Sequence, residues 1–306
     1  MHKVPWTLPV DWFDQHYVMH YIAGLFAPFK QSFFDRIVQG TPPPGALISF
    51  VTATHYDGKD GMPGRRLSIY QPLLERVRDL GGITMLDSGA FTAWSKGYDV
   101  NIEQYAQFCI AYCDLFKVAV NLDVIGDSEN TLKNLKYLED RGITDYIYLL
   151  PVFQFGTSLD ELHKLAERYE YIGIGGIARM EGDKRRSWLR RIAQEKLPTK
   201  FHLFGVLTSE EISIMKPLSV DNASWSVDSS LGKVTTKDGS WMLGRRNDNI
   251  LSPAIIRYLT KKAEQFELTY EELLTPTGCA TFNWFSHIEI MQAVEYVDVS
   301  VRKTIF

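Results

Sequence analysis

Three aspartates and one glutamine occupy equivalent places in the chain, each closing a short apolar run. Asp87 follows ITML, Asp123 follows VAVNL, Gln154 follows LLPVF and Asp228 follows ASWSV, while Gly175 and Gly176 come after YIGI. A carboxylate at the end of an apolar strand is costly to bury without a partner or a task. Two such carboxylates can supply a nucleophile and a general acid/base, and an amide beside them offers a donor and an acceptor to the edge of a flat ligand. Adjacent glycines let that ligand lie close to the backbone. The plainer reading of any one aspartate is a helix cap, and Asp87-Ser88 and Asp127-Ser128 have suitable types for it. Three aspartates in register with Gln154 favour a shared site.

Other chemistries find less support. Ile177-Ala178-Arg179 follows IGIGG, so the third glycine of a dinucleotide fingerprint is missing, and no G-x-S-x-G nucleophile elbow occurs. Cys109 and Cys113 lie within the apolar stripe FCIAYC and read as core residues. Cys279 and His287 are too isolated to suggest a zinc site, and neither His202, inside a strand run, nor His55, in a loop, has a local partner for a catalytic dyad. No metal and no cofactor are expected.

The elements that must position these residues are short apolar runs at 46–52, 82–89, 116–126, 146–156, 171–178, 201–207 and 223–230, separated by amphipathic segments such as SIYQPLLERVRDLGG and TSLDELHKLAERYE. Apolar strands alternating with helices imply a parallel sheet covered on both faces. Seven or eight such units within about 230 residues favour an α/β fold of the closed (β/α)8 TIM-barrel type over an open doubly wound sheet. The C-terminal ends of barrel strands gather around one pocket, where the aspartates would meet. After residue 230 the segment GKVTTKDGSWMLGRRNDN reads as a hairpin or long loop, and the remainder has helical spacing. The expected organisation is a barrel domain over 1–250 with a small helical C-terminal appendage over 251–306 packed on it.

The chain has 306 residues, with 33 Lys+Arg against 37 Asp+Glu, a formal net charge of −4. With 45% apolar and 23% charged residues it is neither disordered nor a polybasic nucleic-acid binder. Three cysteines cannot form a disulfide framework, and neither a signal peptide nor an 18-residue apolar window is visible, so a cytoplasmic protein without a membrane partner is expected.

In order along the chain, LDSGAF (86–91), NLD (121–123), VFQFG (152–156), GIGGIA (173–178), HLFGV (202–206) and WSVDS (225–229) resemble the segments of the queuine and archaeosine tRNA-guanine transglycosylases. The similarity covers about 85–230 and is strongest to the shorter DNA-modifying relatives of phages and bacterial modification clusters. The resemblance implies a nucleic-acid guanine transglycosylase that exchanges guanine for a 7-deazaguanine base, in a bacterial cell or phage-infected host. Asp228 would be the nucleophile that holds C1′ and Asp87 the general acid/base. Ser88, Asp123, Gln154, Gly175 and Gly176 would read the base edge, and Phe91 and Phe204 would sandwich its ring.

Two departures from the tRNA enzymes point to DNA as the polymer. Their C-x-C-x-x-C zinc cluster is missing, since the only cysteine after Asp228 is Cys279, and SSLGKV stands where they carry an Arg-containing segment. Lys233, Arg245 and Arg246 are candidates for phosphate contacts, whereas the basic run 184–191 reads as the solvated face of a barrel helix. The expected partners are DNA, with tRNA as the alternative, and a free guanine or 7-deazaguanine base; a homodimer is possible. A barrel nucleosidase using Asp87 and Asp228, or a non-catalytic base-binding protein, are the competing classes.

Overall fold

The computed structural model describes residues 18–23, 33–36, 45–54, 67–206, 208–243 and 251–292. Nine strands form one parallel sheet: β1 (Met19–Ile22), β2 (Gly45–Ser49), β3 (Thr84–Asp87), β4 (Val118–Val120), β5 (Tyr148–Leu150), β6 (Val152–Gln154), β7 (Tyr171–Gly175), β8 (Lys200–Leu203) and β9 (Ser219–Asn222). Their spatial order is β5-β4-β3-β2-β1-β9-β8-β7-β6. The ends of this series, β5 and β6, are consecutive in sequence and separated only by Pro151, so they are two halves of one strand. The first half pairs with β4 and the second with β7. Pro151 has no N–H to give to a ladder, but its carbonyl still accepts from Gly173 N at 2.9 Å. Counting the broken strand once, eight parallel strands close a TIM barrel.

Alternation along the strands sorts side chains into two cores. Met19, Tyr21, Met85, Val118, Val120, Leu150, Val152 and Tyr171 form the barrel interior. Ile22, Ile48, Leu86, Ala119, Phe153, Ile174, Leu203 and Val220 join the outer core beneath the helices. The helix Leu67–Asp79 buries Leu67, Tyr70, Leu73, Leu74 and Val77, the three- and four-residue spacing of a one-sided stripe. Helix starts are capped as their sequences suggest: Ser158, Thr208 and Asp127 each accept a backbone N–H from the third residue onward. For Asp127 the capping role is therefore the observed one.

The segment after β9 departs from the sequence reading. Residues 223–230 are not a strand but the greater part of the helix Ser224–Leu231; the strand lies just upstream, at Ser219–Asn222. A further strand, Met19–Ile22, falls in the apolar stretch YVMHYIA (17–23), outside the runs expected to be strands. The segment 233–242 is a hairpin of β10 (Lys233–Thr236) and β11 (Gly239–Met242). Its Val234 packs with Leu259, Ala263, Leu273, Cys279 and Phe282 of the C-terminal helices. The last of these, Pro276–Gln292, is welded to the barrel, since Trp284 stacks on His20 of β1 with centroids 4.7 Å apart and Asn283 Oδ1 accepts from Thr235 N at 3.0 Å. Among the described residues no helix is long and apolar enough to cross a membrane.

Candidate active site

Parity places the polar residues before any contact is measured. Asp87 continues the inward set of Met85, and Gln154 that of Leu150 and Val152. Gly175 continues that of Tyr171 and Gly173, and Asp221 that of Ser219. These positions end their strands, so their side chains meet at the C-terminal mouth of the barrel, the end at which a TIM barrel carries its chemistry.

Asp123 lies in the loop after β4, and helix side chains fix that loop. Thr131 Oγ1 accepts from Val124 N at 2.9 Å and Asn134 Nδ2 donates to Leu122 O at 2.8 Å. Gln154 Nε2 donates to Asp123 Oδ2 at 3.0 Å. Only the amide's NH2 end can face a carboxylate, so Gln154 Oε1 is turned away. It is buried without a hydrogen-bond partner, on a side chain only 2% exposed. Gly175 packs closely beside the pair, because a Cβ there would lie 2.7 Å from Val152 Cγ1, 3.8 Å from Asp123 Oδ2 and 3.9 Å from Gln154 Cγ. Phe204 lies across Gly173 so closely that a Cβ at that glycine would come within 2.4 Å of its ring.

Electrostatics set two of the carboxylates apart from ordinary ones. Burial, followed by the charges of Asp123 and Asp221, pushes the Asp87 carboxyl up to about 7, against the lowering effect of the Gly89 and Ser88 amides. Burial pushes Asp123 up to about 6, with the Gln154 hydrogen bond pulling the other way. Asp87 Oδ2 accepts from Gly89 N at 2.9 Å, and Gly89 itself is left-handed (φ 79°). A carboxyl that titrates near neutrality at the mouth of a barrel can give and take a proton under ordinary conditions.

The third carboxylate at the mouth is Asp221, and sequence reasoning missed it. Its Oδ1 accepts from Gly205 N at 3.0 Å and from His202 Nε2 at 3.3 Å. Asp228, expected at a strand end, instead sits on the helix Ser224–Leu231, where its Oδ2 is 3.2 Å from Lys233 Nζ and accepts from Thr235 Oγ1 at 3.2 Å. The charges that act on Asp87 are those of Asp123 and Asp221. Lys233, expected to meet phosphate, is engaged with Asp228. Inward parity after Ser219 is the signal that could have found Asp221, had the strand been placed at 219–222.

The remaining expected residues fall in several places. Ser88 is fully buried and its Oγ accepts from Ala90 N at 3.3 Å, a bond to the start of the next helix. Phe91 is on the rim, 44% exposed, with the Arg179 guanidinium 4.9 Å from its ring centroid and 5.2 Å from that of Trp94. Gly176 is exposed and left-handed (φ 73°). Within the basic run, Arg186 pairs with Asp183 and Glu210 and Arg190 with Glu210 at the surface, whereas Arg185 departs from the expected solvated face by pairing with the buried Glu211. Arg245, Arg246 and His55 lie outside the described residues. Cys279 is buried and its thiol donates to Lys233 O at 3.3 Å; among the described residues no group of three or more His, Cys, Asp or Glu could hold a metal.

No protein-family model matches the chain, and no curated protein matches it. Among solved structures it is similar to the carboxyl transferase domain of Rhizobium etli pyruvate carboxylase, in a complex with pyruvate, at 11% identity and a TM-score of 0.47 over 94% of this chain. The chain spans about half the length of that structure, 50%. It is also similar to a mutant tryptophan synthase α-subunit from Pyrococcus furiosus, at 16% identity and a TM-score of 0.45 over 70% of this chain and 89% of that one. An Aquifex aeolicus protein matches at 11% identity and a TM-score of 0.48 over 90% and 94% of the two chains. These likenesses concern the barrel alone.

Proposed function

We propose that this barrel is a nucleic-acid guanine transglycosylase that replaces guanine with a 7-deazaguanine base through a carboxylate–C1′ intermediate. The observation that carries this reading is the Asp123–Gln154 pair, 3.0 Å apart, with the buried Gln154 Oε1 left unpartnered beside it. The pair presents two acceptors, a carboxylate oxygen and an amide oxygen. Guanine and its 7-deaza analogues offer two adjacent donors on one edge, the ring N1–H and the exocyclic NH2. Adenine offers an acceptor at N1, which a carboxylate repels. The bare backbone of Gly175 and the face of Phe204 suit a flat ring.

Asp221 takes the role that the sequence alone gave to Asp228. Its free oxygen Oδ2 attacks C1′, forming an ester while the C1′–N9 bond breaks and its electron pair passes to the purine. Asp87, protonated, gives its proton to the departing base. The incoming base then returns a proton from N9 to the Asp87 carboxylate, and its N9 electron pair expels the Asp221 carboxylate from C1′. Two displacements give net retention, and every proton stays on Asp87 or a base. DNA is the polymer favoured by the missing cysteine cluster and by SSLGKV. Incubation with labelled guanine and either duplex DNA or tRNA tests the reading, with label expected in DNA. Label in tRNA would identify the alternative polymer; label in neither, with free guanine released, would point to water as acceptor and a nucleosidase.

A further inference from the structure

The barrel interior holds three polar side chains that the proposed chemistry does not use, Tyr171, Ser219 and His202, in a line that ends on Asp221. We infer that His202 is a positioning residue, which clamps one oxygen of Asp221 and aims the other at the reacting carbon. The inference rests on the base-exchange reading for the identity of that carbon, and on geometry for the clamp.

The direction of each hydrogen bond follows from its end. Asp221 Oδ1 accepts from Gly205 N at 3.0 Å, and as a carboxylate it can only accept from His202 Nε2, 3.3 Å away. In the neutral imidazole Nε2 therefore carries the proton, which leaves Nδ1 as an acceptor. Ser219 Oγ, 2.7 Å from Nδ1, must donate to it. With its own hydrogen committed, Ser219 Oγ can only accept from the Tyr171 hydroxyl. For a neutral imidazole the line thus has one consistent orientation, the Nε2–H tautomer.

Packing holds the imidazole in place. His202 is fully buried, with the Phe204 ring 4.4 Å away and the Tyr21 ring 5.5 Å away, both edge-on. Ser219 and His202 are direct partners across the β8–β9 ladder, so backbone register sets the spacing of the line. An unclamped carboxylate turns about its Cβ–Cγ bond and offers either oxygen. Two donors on Oδ1 remove that freedom, and among the described residues no donor reaches Oδ2. Orientation of this kind accelerates a step without contributing to base affinity. The clamp accordingly belongs in kcat and not in the KM for guanine.

The test uses the full chain and two readouts. In wild type at alkaline pH, two-bond 1H–15N spectra of histidine-labelled protein should show His202 as the Nε2–H tautomer, and Ser219→Ala should mix the tautomers. His202→Leu should lower kcat for guanine exchange about 10- to 100-fold, the value of one hydrogen bond to a charge, with KM unchanged. His202→Gln, which keeps an N–H near the Nε2 position, should recover most of the loss. An Nδ1–H tautomer in wild type overturns the inference. So does a folded His202→Leu with unchanged kcat, or equal losses for Leu and Gln. If His202→Leu does not fold, Gln and the Ser219→Ala spectra decide. A wild type that exchanges no guanine would sink the base-exchange reading, while the tautomer and its response to Ser219→Ala would still judge the clamp.

Discussion

Asp87→Asn should make the protein more stable at neutral and alkaline pH while ending its chemistry. The Asp87 carboxyl is pushed up to about 7 from an ordinary 3.8 by burial and by two neighbouring carboxylates. Between those values the folded chain holds a proton that the unfolded chain has released. Stability conferred by that proton is lost as pH rises from about 4 to about 7, and the full cost persists above. Three units at about 1.4 kcal/mol each set a ceiling of about 4 kcal/mol, and partial solvent access to Asp87 brings the expected cost to about 2–4 kcal/mol. Asparagine occupies the same volume without the charge. Its intrinsic effect on packing does not depend on pH, so the informative quantity is the change in the stability difference between variant and wild type. Urea unfolding at about pH 8 and about pH 5 should show the advantage of Asp87→Asn shrinking by about 1–3 kcal/mol toward acid. A difference that stays flat, or grows toward acid, would show that Asp87 is an ordinary solvated carboxylate and would remove the argument for it as a proton carrier near neutrality.

Trapping on a denaturing gel should give a protein–nucleic acid adduct that is lost in Asp221→Asn and retained in Asp228→Asn; the reverse pattern would restore Asp228 as nucleophile. Asp123→Asn should weaken guanine binding and erode the preference for guanine over adenine by about 1–3 kcal/mol, read from competitive exchange; unchanged preference would mean the edge is read elsewhere. Gly173→Ala places a methyl 2.4 Å from the Phe204 ring. It should cost about 1–3 kcal/mol of stability and displace the stacking face, visible as loss of base binding in calorimetry, whereas wild-type affinity in the variant would remove Phe204 from the pocket.

The parts of the barrel legible in the sequence are those whose strands are apolar on both faces. ITML, FKVAV and YIGI announce themselves because their inward side chains fill the interior and their outward ones meet helices. The polar residues just beyond them, Asp87, Asp123 and Gln154, were legible for the same reason: a carboxylate after such a run breaks the pattern. β9 carries no such signal. Its inward positions are Ser219 and Asp221, which serve the line from Tyr171 to the barrel mouth, and only Val220 adds an apolar residue to the outer core. The strand that brings Asp221 to the barrel mouth is therefore the one whose sequence looks least like a strand.

The segment that took its place in the reading shows the complementary effect. ASWSVDSS alternates apolar and polar residues with a period of two, which is the pattern of a half-buried strand. Its actual partners are not a sheet. Trp225 is buried, with its Nε1 donating to Ala23 O at 2.9 Å and its ring edge-on to Trp284, and Ser226 and Ser229 are buried with it. Val227, apolar and in phase with Trp225, is 45% exposed. Small serines on the inner face let this helix approach Pro276–Gln292 closely, so the residues that read as the polar face of a strand are the contact face of a helix. Asn222 starts the turn, its Oδ1 accepting from Ser224 N at 2.6 Å. Tertiary packing against a tryptophan from the far end of the chain overrides the local period there. The same packing leaves Asp221, seven residues before Asp228, as the carboxylate at the strand end, because the strand, and with it the barrel mouth, comes before the helix begins.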